Sequence, residues 1–258
     1  MRKTGWFLGL ALLSMMAVAG FGKDKKEKGK GGKGGETVVL FDGTSMEGWR
    51  GYNRTDIPAR WSIDNGALKI AGGERKTPAQ KAESGDLIYV ARKFHNFEFT
   101  FEWKVSEGAN SGVFYYAQEI PGKPIYFSSP EFQILDNANH PDGKLGVDGN
   151  RQAASLYDML PAKPQNAKPF GEWNTGGITI KNGKVTHYQN GVAVVEYQLW
   201  DDAWRTLIDN SKFKKEGNLS AAYELLVNVG GPEREGYIGL QDHGNDVWFR
   251  NIRVKVLD

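Results

Sequence analysis

Hydrophobic positions in this 258-residue chain recur mostly at every second residue, the period of strands with one buried face. The clearest case is Asn96 to Val105. Phe97, Phe99, Phe101, Trp103 and Val105 share one face, and Glu98, Thr100, Glu102 and Lys104 share the other. A face with four aromatics has to pack against a second layer. Shorter runs at Val38 to Phe41, Ala67 to Ile70, Asp86 to Val90, Val113 to Ala117 and Tyr237 to Gln241 read as further strands. In Asp246 to Val256, strict alternation puts Val247, Phe249, Asn251, Arg253 and Lys255 on one face, and Trp248, Arg250, Ile252, Val254 and Val256 on the other.

Asn65-Gly66, Asn182-Gly183 and Asn190-Gly191 are hairpin turns, because both residue types tolerate the left-handed backbone. The last two bracket six residues and predict a meander from Gly177 to Tyr197. Residues 72 to 86 and 161 to 169, rich in polar residues, Gly and Pro, read as loops. Helical spacing is convincing only over Asp201 to Asn210, where Trp204, Leu207 and Ile208 share a face and Asp201 or Asp202 can cap. A dozen short strands and one short helix predict an all-β fold, a two-sheet antiparallel sandwich in one domain spanning residues 37–258.

Composition changes the picture mainly at the N-terminus. Arg2 and Lys3, the apolar run Gly5 to Val18 and the small residues Ala17-Val18-Ala19 predict an export signal over residues 1–19. The run is short for a membrane span, and the chain has no cysteine for a lipid anchor, a disulfide or a thiolate metal site. The expectation is a periplasmic or secreted protein. Residues 20–36 form a Gly/Lys-rich flexible linker. Of the 33 Lys+Arg and 31 Asp+Glu, 8 and 3 fall before residue 37, leaving the remainder three charges negative. Nucleic acid is therefore a poor partner for the folded part.

Chemistry concentrates at Ser129 to Gly143. Glu131, Gln133 and Leu135 alternate with Phe132 and Ile134, and the strand runs into a loop holding Asp136, Asn137, Asn139, His140 and Asp142. A carboxylate and an amide together on a strand face are costly if buried, unless something binds there. The competing reading is an edge strand whose polar face meets water. Asp136, Asn137, Asn139 and Asp142 also make an oxygen-rich loop of the kind calcium accepts, although their spacing fits no established calcium loop. No other cofactor is expected.

Several segments in order resemble one family. They are Leu40-Phe41-Asp42-Gly43-Thr44 with Gly48-Trp49, Phe97-Glu98-Phe99 to Trp103-Lys104, and Asn110-Ser111-Gly112-Val113. Glu131 to Asp136 with His140-Pro141-Asp142, Gly171-Glu172-Trp173-Asn174, and His187 before Asn190-Gly191 follow. The set closes with Gly239 to Gly244 and Val247 to Ile252. Together they resemble the 3-keto-disaccharide hydrolase domain family over residues 38 to 257, which implies a jelly-roll sandwich of the concanavalin A-like type.

The resemblance implies an enzyme acting on glycosides already oxidised at C3, in functional partnership with a sugar 3-oxidoreductase. The ketone acidifies the C2 proton, the C1 substituent leaves by elimination, and water adds to the enone. Such a site needs a base, a donor to the enolate oxygen and an acid for the leaving oxygen. On this reading Glu131 is the general base or acid, Gln133 holds a sugar hydroxyl, Asp136 is a second acid/base or a loop cap, and His243 is a proton shuttle or a turn residue. Asn110, Gln241 and Arg250 are candidate sugar contacts, with Arg250 alternatively in an ion pair. Trp173 and Tyr115 are candidate stacking platforms or core, and His187 is a cleft or packing residue. Only one acid lies on the Glu131 face, which disfavours the paired carboxylates of ordinary glycosidases. A carbohydrate-binding module without catalysis and a conventional glucanase are the rival readings.

Overall fold

The aromatic face expected at Phe97 belongs to the longest shared ladder of the molecule. The computed structural model describes residues 35–258, so the predicted export signal and the linker up to residue 34 lie outside the described residues. The strands are β1 (Thr37–Phe41), β2 (Trp49–Gly51), β3 (Trp61–Asp64), β4 (Ala67–Ile70), β5 (Leu87–Phe94), β6 (Phe97–Val105) and β7 (Asn110–Ala117). They continue with β8 (Glu131–Leu135), β9 (Asn174–Lys181), β10 (Lys184–Gln189), β11 (Val192–Gln198), β12 (Gly236–Leu240) and β13 (Val247–Val256). One sheet of eight strands runs β11-β10-β9-β6-β13-β4-β3, with β1 also on β13, and the other runs β2-β5-β12-β7-β8. Every pairing is antiparallel. This is the two-sheet antiparallel sandwich expected from the sequence.

The core lies between the sheets. Phe97, Phe99, Phe101, Trp103 and Val105 are buried, and Phe101 meets Phe132 of the opposite sheet edge-on at 5.4 Å. Glu131 and Gln133 therefore point away from this core, onto the outer face of the five-stranded sheet. The meander forms as expected, with Asn182-Gly183 at φ 52° and 77° and Asn190-Gly191 at 48° and 80°.

Two alternations break, and both breaks matter. Tyr116 has φ 56°, so Tyr116 and Tyr115 both enter the main core instead of facing opposite ways. In β13 the register shifts between Arg250 and Arg253, where Asn251 has φ 53°. This bulge makes Val247, Phe249, Ile252 and Val254 the buried set. Strict alternation had placed Ile252 and Val254 on the face opposite Phe249.

Among the described residues, three short α-helices stand in place of the single one expected: α1 (Pro78–Glu83), α2 (Asp202–Asp209) and α3 (Tyr223–Val227). Helix α1 falls in a segment read as loop. It buries no residue and depends on a capping box in which Thr77 accepts from the Gln80 N–H while Gln80 reaches back to the Thr77 N–H. Asp201 caps α2 through the Trp204 N–H.

Candidate active site

On the outer face of the five-stranded sheet a cleft of about 200 Å³ has Asn110, Glu131, Gln133 and Gln241 on its floor. Tyr126, Tyr157, Lys212 and His243 also line it. The sheet register supplies the floor: Gly112 of β7 lies opposite Gln133, and Phe114 opposite Glu131. Gly112 has no side chain, and the Glu131 side chain lies over it, its Cδ and Cγ at 2.8 and 2.9 Å from where a Cβ would stand.

Glu131 is 7% exposed. Burial pushes its carboxyl up to about 8; Lys212 opposes this, while Asp86 and Asp142 add to it. The Lys212 ammonium sits 4.1 Å over the Tyr157 ring, and burial lowers its pKa, with Glu131 and Asp158 the chief opposing charges. Two floor groups lack partners. Asn110 Oδ1 and Gln241 Oε1 are buried and accept no hydrogen bond from the described residues. Unpaired buried acceptors are costly, so this pair is suited to a ligand that donates hydroxyls.

The wall is a chain of charge-assisted bonds. Tyr157 donates to Asp142 at 2.8 Å, Arg151 bridges Asp142 and Asp158 at 3.2 and 2.6 Å, and Asp158 accepts from the Lys212 backbone N–H at 2.7 Å. Residues 153 to 157 add a partial strand to β8: Gln133 N–H donates to Ser155, Ala154 N–H to Gln133 and Tyr157 N–H to Glu131. This ties Tyr157 to the position of Glu131. At the mouth, His140 and His243 meet edge to face at 6.0 Å. His140 Nδ1 accepts from the Asp142 N–H, so its proton is on Nε2. The His243 ring is exposed at the rim, yet the surrounding protein, followed by His140 and Arg75, lowers its pKa.

Of the residues singled out in the sequence, the structure brings Asn110, Glu131, Gln133, Gln241 and His243 together. The other five lie elsewhere. Asp136 is buried in its loop, accepting from Gly108 N–H and Asn139 Nδ2 at 2.8 Å and more weakly from the Ala138 and Asn139 N–H groups. Burial alone would raise its pKa, but these bonds outweigh it and lower it. Asp136 is thus a loop cap. In the same loop Asn137 Oδ1 takes the Ala153 N–H, and Asp142 is held by Tyr157 and Arg151.

His187 and Tyr115 are fully buried between the sheets. His187 donates from Nδ1 to the Ala154 carbonyl at 2.9 Å and accepts at Nε2 from the Tyr115 hydroxyl at 2.8 Å. Burial holds His187 down to about 4 and Tyr115 well above its ordinary range. Trp173 and Arg250 sit on the outer face of the other sheet. The Arg250 guanidinium lies 3.9 Å over the Trp173 ring and pairs with Glu102 at 2.7 Å. Lys104 covers Trp173 at 5.1 Å and Trp248 at 4.6 Å. The β13 bulge is the reason, because it leaves Arg250 outside while Ile252 turns inward.

Sequence reasoning missed Lys212, Tyr126 and Tyr157. Lys212 sits in Ser211-Lys212-Phe213-Lys214-Lys215-Glu216, which reads as a solvated run. Only the fold places its side chain against the cleft.

The 3-keto-alpha-glucoside-1,2-lyase-like domain profile matches residues 36–255. A 3-keto-disaccharide hydrolase of Bacteroides thetaiotaomicron is 54% identical over 233 residues, 86% of this chain and 78% of that protein. Two solved structures of candidate glycosyl hydrolases from Parabacteroides distasonis are also similar. One is 27% identical with a TM-score of 0.70, covering 86% of this chain and 94% of that one. The other is 25% identical with a TM-score of 0.63, covering 86% and 100%. With nearly all of the sandwich matched end to end, this chain belongs to the 3-keto-alpha-glucoside-1,2-lyase-like domain family.

Proposed function

We propose that this carbohydrate hydrolase cleaves 3-keto-glycosides, 3-keto disaccharides among them, by proton abstraction at C2, elimination at C1 and hydration. The observation that carries the reading is the burial of the Glu131 carboxyl in a cleft that it shares with Lys212. It is a buried carboxyl with a raised pKa, and the next position on its strand face is an amide, Gln133. A desolvated carboxylate is a stronger base than a solvated one, which suits removal of a proton from carbon.

In this reading Glu131 takes the C2 proton, and the electron pair moves onto the C3 oxygen as an enolate. The Lys212 ammonium stabilises that oxygen in a site shielded from water. Re-formation of the ketone expels the C1 oxygen, which gains a proton, and leaves a C1=C2 double bond conjugated to the ketone. Water then adds at C1, and C2 regains its proton from Glu131. Neutral His243 at the mouth orients that water, while Asn110 Oδ1 and Gln241 Oε1 accept from sugar hydroxyls. The N-terminal signal pattern supports export, and the need for a C3 ketone supports a partner oxidoreductase that makes it.

The test compares turnover of a 3-keto disaccharide with that of its unoxidised parent by purified protein. Cleavage confined to the keto sugar is the expected result. Equal turnover of the parent would favour a conventional glycosidase, and turnover of neither would favour a binding module.

A further inference from the structure

The cleft floor continues past the residues already described. Leu240 of β12 pairs with Leu87 of β5 and with Val113 of β7. One step further along the same ladders, Gln241 lies opposite both Asp86 and Gly112, and the Gln241 N–H donates to the Gly112 carbonyl at 2.9 Å. Gly112 in turn lies opposite Gln133. Asp86, Gln241, Gly112 and Gln133 therefore form one lateral row across four strands. Because Leu87 and Leu240 point into the core, alternation turns Asp86 and Gln241 to the cleft side.

Asp86 is held there firmly. One oxygen accepts from the Asp242 N–H at 2.9 Å, and its carbonyl accepts from the Tyr52 N–H at 2.8 Å. The other carboxyl oxygen takes no hydrogen bond among the described residues. The neighbouring cation is engaged elsewhere: Arg75 is bound to the Asp242 carboxylate and carbonyl, while the remaining Asp242 oxygen accepts from the Gly85 N–H at 2.9 Å. Asp86 is half-buried and close enough to raise the pKa of both Glu131 and Tyr126.

We infer that Asp86 is a second catalytic residue of this cleft, the general acid that protonates the leaving C1 oxygen. This rests on the elimination mechanism above, which releases the leaving group's oxygen as an alkoxide and leaves its proton unassigned. Asp86 gives its proton to the departing oxygen as the C1–O bond breaks, and regains one from the water that adds at C1. The geometry suits the division of labour. Glu131 and Lys212 lie at one side of the floor where the C2 proton and the C3 oxygen are handled, and Asp86 approaches from the opposite strands, across Gln241. Burial raises the Asp86 carboxyl to about 7; the Asp242 N–H and Arg75 oppose this and the Asp242 charge adds to it. A protonated fraction is therefore present near neutral pH.

The test uses Asp86→Asn, which keeps an acceptor for the Asp242 N–H, with two substrates. One is a 3-keto disaccharide and the other p-nitrophenyl 3-keto-glucoside, whose leaving group departs as a stable anion without a proton. The disaccharide rate should fall about 100-fold or more, and the p-nitrophenyl rate by less than about tenfold. Exchange of the C2 proton of 3-keto-glucose with deuterated water should survive in Asp86→Asn and be lost in Glu131→Gln. Asp86→Glu, which keeps an acid, should recover part of the disaccharide rate where Asp86→Gln does not. Equal losses on both substrates, no loss on either, or a leaving-group-dependent loss in His243→Gln instead would overturn the assignment. If the wild-type protein neither exchanges C2 nor prefers keto sugars, the elimination reading itself fails.

Discussion

Gly112→Ala separates the position of Glu131 from the stability of the sheet. The β7–β8 register fixes Gly112 beside Glu131, and an added Cβ would overlap the Glu131 carboxylate. Gly112 is not among the glycines with positive φ, so alanine suits the backbone. The obstacle is the far end of a flexible side chain, and the strand can stay in place while that side chain leaves. Holding Glu131 off its preferred rotamer costs about 0.5–1.5 kcal/mol. Replacing glycine lowers the entropy of the unfolded chain and returns about 0.4–1 kcal/mol. The two nearly cancel, so the melting temperature should move by no more than about 4 °C. Activity should respond very differently, because a displacement of about 1 Å in a reacting group costs on the order of 100-fold. The assay is kcat/KM on a 3-keto disaccharide alongside thermal melting of the same preparation. A variant that melts like wild type and keeps its rate within severalfold would show that the carboxylate does not have to occupy this place. Loss of rate together with a collapse in melting temperature would show that Gly112 serves the sheet.

Glu131→Gln should abolish turnover yet raise the melting temperature in alkaline buffer. Because the folded carboxyl titrates near 8, above its unfolded value, its neutral form favours folding at low pH and that stability is lost as pH rises through about 8. The gap between variant and wild type should widen from pH 5 to pH 9, and a constant gap would contradict the burial argument. With p-nitrophenyl 3-keto-glucoside, whose departure needs no acid, the same ionisation in the wild type should appear as an alkaline-shifted limb in kcat/KM, rising with pH where an ordinary glutamate base would already be saturated. Lys212→Met removes the charge that opposes this shift, so the limb should move to higher pH and the rate fall by about 10- to 1000-fold. An unmoved limb would detach Lys212 from Glu131. Arg250→Ala and Trp173→Ala should leave kcat/KM within severalfold of wild type, since both side chains are spent on Glu102 and on each other; a large loss in either would mean that the outer face takes part in turnover.

The sandwich was readable because one long strand, β6, carries an unbroken aromatic face and the hairpins carry Asn-Gly turns. Period-two patterns fail where one residue is inserted, and Tyr116 and Asn251 are such residues: polar or aromatic, locally unremarkable, and visible as bulges only through the partner strand. Glu131 and Gln133 were legible because they interrupt an apolar strand. Asp136 was not separable from them, as its role depends on whether Gly108 and Asn139 offer N–H groups in space. His187 has the sequence look of a site histidine. Only its enclosure between two sheets, with Tyr115 and Ala154 as partners, makes it a buried tie. Lys212 lies in a charged run, and Asp86 was read simply as the first residue of a strand. Both acquire meaning from neighbours that only the fold brings close, Lys212 from Tyr157 and Glu131, and Asp86 from Gln241 and Asp242.

The bulge at Asn251 also sets how this strand can change over evolutionary time. Substitutions along β13 are judged one position at a time, but a single deletion at residue 251 would be judged by everything after it. Because β13 carries one residue more than β6 between Arg250 and Arg253, that deletion would restore a regular ladder, with Ile252 and Val254 still facing the core and Arg253 and Lys255 still facing out. The bulge is thus a place where β13 can lose a residue without turning its later side chains inside out. A gap placed at Asn251 keeps every later side chain on its face, whereas a gap placed past Ile252 exchanges inside for outside at the positions between.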